Sequence, residues 1–284
     1  MMIQETYTLS NGVNIPKVGL GTWMIEGSDA EQAVIEAAKL GYRHIDTAQD
    51  YGNEAEVAAG LKACGVKRED MFLTTKLAAR YKDYQGAAEA IDGSLERMGL
   101  DYIDMMIIHS PQPWESFGSD DRFFEGNREA WRALEDAHKA GKIRAIGLSN
   151  FAEQDLDNIL ESCSVKPVVN QILAHVTNTP TDLINYSQDR GLLVEAFSPV
   201  GHGELFKNDQ IAEMARKYDV SIPQLCIRYD LQLGLLPLPK TANPDHMKNN
   251  ADVDFVISDD DMETLKNLDP IRDYGEASAF PVFQ

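Results

Sequence analysis

Four side chains able to hold or move a proton each stand at or just past the end of a short apolar run. Arg43-His44-Ile45-Asp46 ends on a carboxylate, and Tyr51 follows five residues later in a turn-prone stretch. Phe72-Leu73-Thr74-Thr75 delivers Lys76, and Asp104-Met105-Met106-Ile107-Ile108 delivers His109. A free phenol has a pKa near ~10, so Tyr51 is protonated at neutral pH, and a nearby cation that lowered this value would make it a general acid. Lys76 is the expected cation, Asp46 the group that fixes it, and His109 a second donor to a developing alkoxide. Hydride addition to an aldehyde or ketone is the kind of reaction this set suits, because charge builds on oxygen and is then protonated.

These groups need a scaffold that brings strand ends together. Eight apolar runs recur: Val18 to Gly21, His44-Ile45, Met71 to Thr74, Ile103 to Ile108, Ile143 to Leu148, Val168 to Asn170, Leu192 to Phe197 and Leu235 to Leu238. Stretches of helical period, such as Ala30-Ala33-Val34-Ala37-Ala38 and Leu156-Ile159-Leu160, separate most of them. Uncharged strands alternating with helices imply a parallel sheet covered on its faces, and eight such units predict an α/β fold, a closed (β/α)8 TIM barrel. Residues 6–17 read as an N-terminal β-hairpin turning through Asn11-Gly12 as a type I′ turn. The remaining punctuation supports one domain over residues 1–284, with a short tail at 272–284. In such a barrel Asp46, Lys76, His109, Ser149, Asn150, Gln171 and Lys240 share one rim, the C-terminal face where active sites are built. The loops Ser110 to Gly126 and Ser198 to Lys207 are long enough to shape a pocket there.

Composition narrows the partners. With 26 Lys and Arg against 46 Asp and Glu, the net charge of −20 opposes binding to nucleic acid or anionic membrane. A phosphate-bearing ligand must then find a local basic pocket. Cys64, Cys163 and Cys226 lie far apart without metal-ligand spacing, so neither a disulfide framework nor a metal site is expected. The polar N-terminus and the lack of a long apolar run point to a cytoplasmic protein. A monomer is the default expectation.

No side chain donates a hydride, so the chemistry calls for a nicotinamide or flavin. Gly19-Leu20-Gly21 and Gly201-His202-Gly203 both lack the third glycine of a Rossmann fingerprint. The cofactor must be held otherwise. Ser149, Asn150 and Gln171 could grip a carboxamide, and Phe197 offers a flat face to a nicotinamide ring. Lys240-Thr241-Ala242-Asn243 stands just before the helix opening at Pro244, where backbone amides favour a phosphate.

The ordered set Gly19-Leu20-Gly21-Thr22-Trp23, His44 to Ala48 with Tyr51-Gly52-Asn53-Glu54, Thr74-Thr75-Lys76, Ile108-His109 with Pro111, and Gly147 to Phe151 resembles the aldo-keto reductases. Val169-Asn170-Gln171, Phe197-Ser198-Pro199 and Pro239-Lys240-Thr241 extend the resemblance over nearly the whole chain, nearest the bacterial diketogluconate and small-dicarbonyl reductases. It implies a catalytic tetrad of Asp46, Tyr51, Lys76 and His109, and NADPH or NADP+ bound in extended form. Gly21 and Thr22 would lie near the nicotinamide ribose, and Ser198, Val200 and Gly201 along the pyrophosphate. Lys240, Thr241 and Asn243 would meet the 2′-phosphate, with Asn250 at the adenine. The substrate, a small carbonyl compound, would sit among Trp23, Tyr51, His109, Ser110 and Trp114.

Several positions depart from the family pattern. Ser110 stands where a Trp often follows the catalytic His, which removes a pocket wall that Trp114 could partly refill. Phe197 replaces the usual stacking Tyr. His246 replaces the usual Arg at the 2′-phosphate, and Asn249 the Glu near the adenine. Exchanging a permanent cation for an imidazole should weaken the preference for NADPH and admit NADH. Taken singly, each tetrad residue has a structural reading: a loop carboxylate, a packing Tyr, a solvated Lys, a satisfied core His. His44, His138 and His175 are read as structural, Trp131 as core, and Ser258 with Asp259 to Asp261 as a helix N-cap. The rival to an enzyme is a non-catalytic nucleotide-binding protein on the same barrel, and a sugar-phosphate isomerase is disfavoured because it would use a carboxylate base.

Overall fold

The computed structural model describes residues 2–284. Strands β1 (Thr6–Thr8) and β2 (Asn14–Pro16) form the antiparallel hairpin, with Tyr7 opposite Ile15. Its turn is not type I′. The Gly12 amide donates to the Leu9 carbonyl at 2.8 Å, the Leu9 amide donates to Val13 at 2.8 Å, and of the loop residues only Gly12 takes a positive φ, 85°. A type I′ turn needs two such residues; one Gly suits a three-residue connection built on a type I turn.

The eight expected runs become β3 (Leu20–Gly21), β4 (His44–Asp46), β5 (Phe72–Leu77), β6 (Ile103–Ile108), β7 (Ile143–Ser149), β8 (Val169–Leu173), β9 (Leu193–Phe197) and β10 (Leu236–Leu238). They form one sheet in chain order, every pair parallel. The first and last strands then meet. Gly19 donates to Pro237 at 3.2 Å, Gly21 donates to Pro239 at 3.0 Å, and Gly21 bridges Lys240 in parallel. The sheet is thereby closed into a (β/α)8 barrel.

Helices α1 (Ser28–Lys39), α2 (Glu54–Ala63), α3 (Tyr84–Met98), α4 (Phe124–Lys139), α5 (Glu153–Leu160) and α6 (Thr181–Asp189) each link successive strands. Two helices, α7 (Asp209–Lys217) and α8 (Ile222–Gln232), separate β9 from β10, and α9 (Pro244–Ala251) and α10 (Asp259–Lys266) follow. Ser258 caps α10 by accepting from the Asp261 amide at 3.3 Å, as its sequence suggested. Trp131 is core, and the indole donates to the Val165 carbonyl at 3.1 Å. His44, His138 and His175 hold structural hydrogen bonds to Thr74, Ile143 and Tyr274. None of the helices among the described residues is long and apolar enough to cross a membrane.

Strands β5 and β6 are buried at every position because helices cover one face and the barrel interior the other. The interior is sealed at its lower end. Leu9 and Ile15 of the hairpin pack with Phe72, Met105, Ile107, Val169 and Leu236. Tyr7 donates to Leu235 at 3.1 Å, and Asn11 to Arg144 at 3.2 Å, both at strand beginnings. Only the opposite end is left for polar side chains.

Outer packing sets its own limits. A Cβ on Gly60 of α2 would lie 2.7 Å from the Glu31 carbonyl oxygen and 2.7 Å from Val34 Cβ of α1. Alanine would gain about 1 kcal/mol of helix propensity, but overpacking costs about 1–3 kcal/mol. Gly60→Ala should therefore lower the urea midpoint of unfolding with an unchanged slope; a raised midpoint would mean that α1 and α2 can separate freely.

Candidate active site

Side chains two residues apart on a strand share a face. Asp46 lies opposite Thr74 in the β4–β5 register, so Lys76, two positions on, points into the barrel mouth above it. There its ammonium pairs closely with the Asp46 carboxylate, donates to the Thr47 carbonyl at 3.0 Å and reaches the Tyr51 hydroxyl at 3.2 Å. Lys76 is 1% exposed. Burial works against its charge, yet Asp46 and Tyr51 together raise its pKa above the ordinary value, so it stays an ammonium.

Tyr51 arrives on the single turn Gln49–Tyr51 that follows β4, ended by Gly52 at a φ of 69°. The expected lowering of its pKa by Lys76 is overturned in this state. Burial is the largest influence and raises it, Lys76 lowers it, Asp46 and Asp50 raise it, and the balance is upward. The free protein thus holds Tyr51 fully protonated.

His109 sits at the end of β6, its ring edge-on to Tyr51 with centroids 5.7 Å apart. Burial, opposed by Asp50, keeps its pKa below the usual value, so the ring is neutral near pH 7. The four tetrad candidates are therefore one contiguous group.

Four further expected residues join it. Gln171 of β8 donates to Asp46 Oδ2 at 3.0 Å, and Ser149 of β7 donates to the Gln171 carbonyl at 2.9 Å. Asn150, held at a φ of 61°, donates to the His109 carbonyl at 3.0 Å. Thr22 is bound through both its amide and its hydroxyl to the Asp46 carbonyl, which sets Gly21 beside it at the rim.

The expected pocket residues surround this group. Trp114 lies on the short turn Trp114–Ser116 and stands edge-on to His109 at 5.0 Å. Ser110 is buried, and its carbonyl accepts from Lys82 at 2.9 Å. Trp23 is packed differently from a plain pocket wall, because the C-terminal tail lies against it. Its ring stacks on Phe283 at 6.1 Å and meets Phe280 at 4.9 Å and His202 at 5.4 Å. Phe283 also stands edge-on to Phe197 at 6.1 Å.

The remaining cofactor candidates are split between open and occupied. Ser198 and Gly201 take positive φ values of 54° and 53° and bend the chain after β9, with Val200 between them. Ser198 shares its hydroxyl with His202 at 3.0 Å. Lys240, Asn243 and His246 are exposed at the start of α9, and Lys240 has no carboxylate partner among the described residues. The Thr241 hydroxyl accepts from the Asn243 amide at 3.0 Å, and the Asn243 side chain caps α9. Asn249 is turned away, donating to Ser221 of the α8 cap at 2.7 Å, and Asn250 is buried.

Two acids had no place in the sequence reading. Asp50, next to Tyr51, touches His109, Trp114 and Arg80. Glu195 of β9 accepts from Gln171 at 2.7 Å, while its other oxygen is buried without a partner. Burial and then the charge of Asp46 push its pKa up to about 8, against weaker lowering by Gln171 and Lys76.

A strand-end cluster of this kind on a (β/α)8 barrel defines an enzyme of the barrel class, with its site on the C-terminal rim. Residues 17–270 match the aldo/keto reductase family. The chain is 39% identical over 268 residues to glyoxal reductase of Bacillus subtilis, covering 94% of this chain and 93% of that protein. It is 36% identical over 282 residues to glycerol 2-dehydrogenase (NADP(+)) of Saccharomyces cerevisiae, covering 92% and 89%. The Bombyx mori aldo-keto reductase in complex with NADP superimposes with a TM-score of 0.86 at 31% identity, covering 98% of this chain and 97% of that one. The chain belongs to the aldo/keto reductase family and is an NADPH-dependent oxidoreductase.

The Glu195 carboxyl has a measurable consequence. Its pKa is raised from 4.5 to about 8 on folding, so the folded chain keeps a proton that the unfolded chain releases. Stability from this group is complete below 4.5 and is lost as pH rises through about 8. Glu195→Gln, which mimics the protonated acid, should remove that decline, so unfolding free energies of wild type and variant should diverge from pH 5 to 8. Parallel curves would mean that the carboxyl is ionised in the fold.

Proposed function

We propose that this chain reduces aldehydes, ketones and small dicarbonyl compounds to alcohols, with Tyr51 as the general acid. The observation that carries the reading is the Tyr51 hydroxyl on the buried Lys76 ammonium, itself tied to Asp46. NADPH, when bound, supplies the hydride that no side chain can.

The chain's own residues supply the oxygen side of the reaction. Tyr51 is protonated beforehand and gives its proton to the carbonyl oxygen as charge develops there. The phenolate left behind lies against an ammonium, and opposite charges ~4 Å apart attract by about 4 kcal/mol at an effective dielectric near 20. That attraction appears only once the proton has left, so it favours the transition state over the bound substrate. Asp46 keeps the ammonium in place, and the Thr47 carbonyl and Gln171 fix the pair from two sides. His109 contributes a second hydrogen bond to the oxygen whenever its Nε2 carries a proton.

The cofactor fits what the rim offers. Lys240 is an exposed cation without a carboxylate partner among the described residues, beside the N-terminus of α9. With Thr241, Asn243 and His246 it would take the 2′-phosphate. Ser198, Val200 and Gly201 would follow the pyrophosphate, Phe197 the nicotinamide face, and Ser149, Asn150 and Gln171 its carboxamide. Phe283 must yield to the ring that Phe197 receives, or stand beside it. Asn250 would border the adenine; Asn249 is held by Ser221 and would contribute through that cap.

Tyr51→Phe should cut kcat/KM for a reactive aldehyde by about 10²- to 10⁴-fold while leaving NADPH binding unchanged by fluorescence titration. Wild-type turnover in the variant would remove Tyr51 from the mechanism. Because an imidazole at His246 lacks the permanent charge and forked donors of a guanidinium, NADH should also be accepted. His246→Arg should lower the KM for NADPH by roughly tenfold without changing that for NADH, by analogy with charge-assisted phosphate contacts. Equal effects on both cofactors would place His246 away from the 2′-phosphate.

A further inference from the structure

We propose that Asp50 is a positioning residue for this site: its carboxylate locks the His109 imidazole and the Trp114 indole together and ties the donor capacity of His109 to pH. The proposal rests on the carbonyl-reducing function above and extends it to a residue outside the tetrad.

Three donors converge on that one carboxylate. Arg80 Nη1 lies 2.5 Å from Oδ1, Trp114 Nε1 donates to Oδ2 at 3.2 Å, and His109 Nδ1 lies 3.7 Å from Oδ2. The last distance is just beyond hydrogen-bond range, and Nδ1 is buried with no other partner. Asp50 is thus the one anion facing a buried ring nitrogen whose proton must be decided. Burial alone would raise the acid, but His109, Arg80 and Trp114 hold its pKa down to about 2, so it is ionised at any working pH.

The consequence is chemical. A neutral imidazole has one proton. An anion on the Nδ1 side draws that proton to Nδ1 and leaves Nε2 an acceptor, unable to donate to a carbonyl. The cation donates from both nitrogens. With Asp50 present, donation through Nε2 therefore grows as His109 becomes protonated. The other groups facing the ring are Asp46 of β4, Tyr51 of the turn after it, Lys76 of β5 and Trp114. Lys76 opposes the imidazolium, and Asp46 and Asp50 favour it. Of the two acids, Asp46 is paired with Lys76, whereas Asp50 holds Arg80 through Oδ1 and turns Oδ2 towards the ring nitrogen.

Asp50 also connects two loops. Arg80 follows β5 and Trp114 follows β6, so the carboxylate staples the loop over the pocket to the turn that carries Tyr51. Losing it should loosen Trp114, and with it the face that a substrate meets beside His109.

The test uses the whole protein. The ring of His109 is titrated by the NMR signal of its Hε1 proton, assigned among six histidines by its loss in His109→Gln. In Asp50→Asn the His109 titration should move to lower pH, and the acid-side rise in kcat should move with it. In Asp50→Ala the same shift should appear together with a roughly tenfold higher KM, well short of the ~10²-fold penalty of a 1 Å misplacement of reacting groups. Asp50→Glu should restore the wild-type titration. An unchanged His109 titration in Asp50→Asn would overturn the proposal even if all variants stay active. Absence of carbonyl reduction in the wild type would instead remove the functional reading, while the NMR titration would still report on Asp50.

Discussion

A buried ammonium held by a buried carboxylate organises this molecule. Lys76 and Asp46 are 1% and 5% exposed at the side chain. Taking each ion from water costs several kcal/mol, and a well-packed apolar pair of similar size would often be as stable or more so. The pair therefore adds little to stability by itself. Its presence makes sense through what it places at 3.2 Å, the Tyr51 hydroxyl. The strand register that puts Asp46 against Thr74, and Lys76 two positions on, is the backbone condition for that contact. The hairpin serves it from below by sealing the barrel, so that the polar group needs to satisfy only one open end.

Charge inside the mouth is kept in balance. Gln171 donates from one amide nitrogen to both Asp46 and Glu195. Two carboxylates sharing a site cannot both ionise cheaply. Asp46 has the ammonium and takes the charge, while Glu195 has an unpartnered oxygen and keeps its proton. One cation thus faces one anion. An ionised Glu195 would add a further negative charge beside Asp46, across the Gln171 amide they share.

The barrel was legible because its strands are buried on both faces. Continuous apolar runs such as Ile103 to Ile108 leave no other reading once helices alternate with them, and each run ends where a chemical side chain begins. The nearness of Asp46, Tyr51, Lys76 and His109 followed from that order. Other features depend on the fold. Glu195 stands in the otherwise apolar Leu193–Phe197, and a lone carboxylate in a barrel strand is a signal that could have been used. Asp50 lies in a turn rich in polar residues, where one more acid looks like solvated surface. Its role depends on Trp114 coming back from 64 residues away in the chain. The upward pKa of Tyr51 also needs the fold, since burial and ammonium pull in opposite directions and only depth decides. In the hairpin turn Asn11-Gly12 suits type I′, but the loop has one residue more than that turn takes up.

A strongly acidic chain can still receive a polyanionic cofactor. A net charge of −20 produces a repulsive field, but at physiological ionic strength it is screened beyond ~8 Å. Inside that distance only local groups matter. Most surface lysines are engaged with carboxylates, as Lys17 is with Glu5, Lys142 with Asp92 and Lys217 with Asp261. Lys240 has no such partner among the described residues, and it follows the strand that closes the barrel, next to a helix N-terminus. Its backbone bridge to Gly21 fixes its distance from the Asp46–Lys76 pair across the first two strands. Phe197 ends the neighbouring strand, opposite Leu238, so a phosphate held at Lys240 and a ring lying at Phe197 would meet adjacent strand ends of the rim.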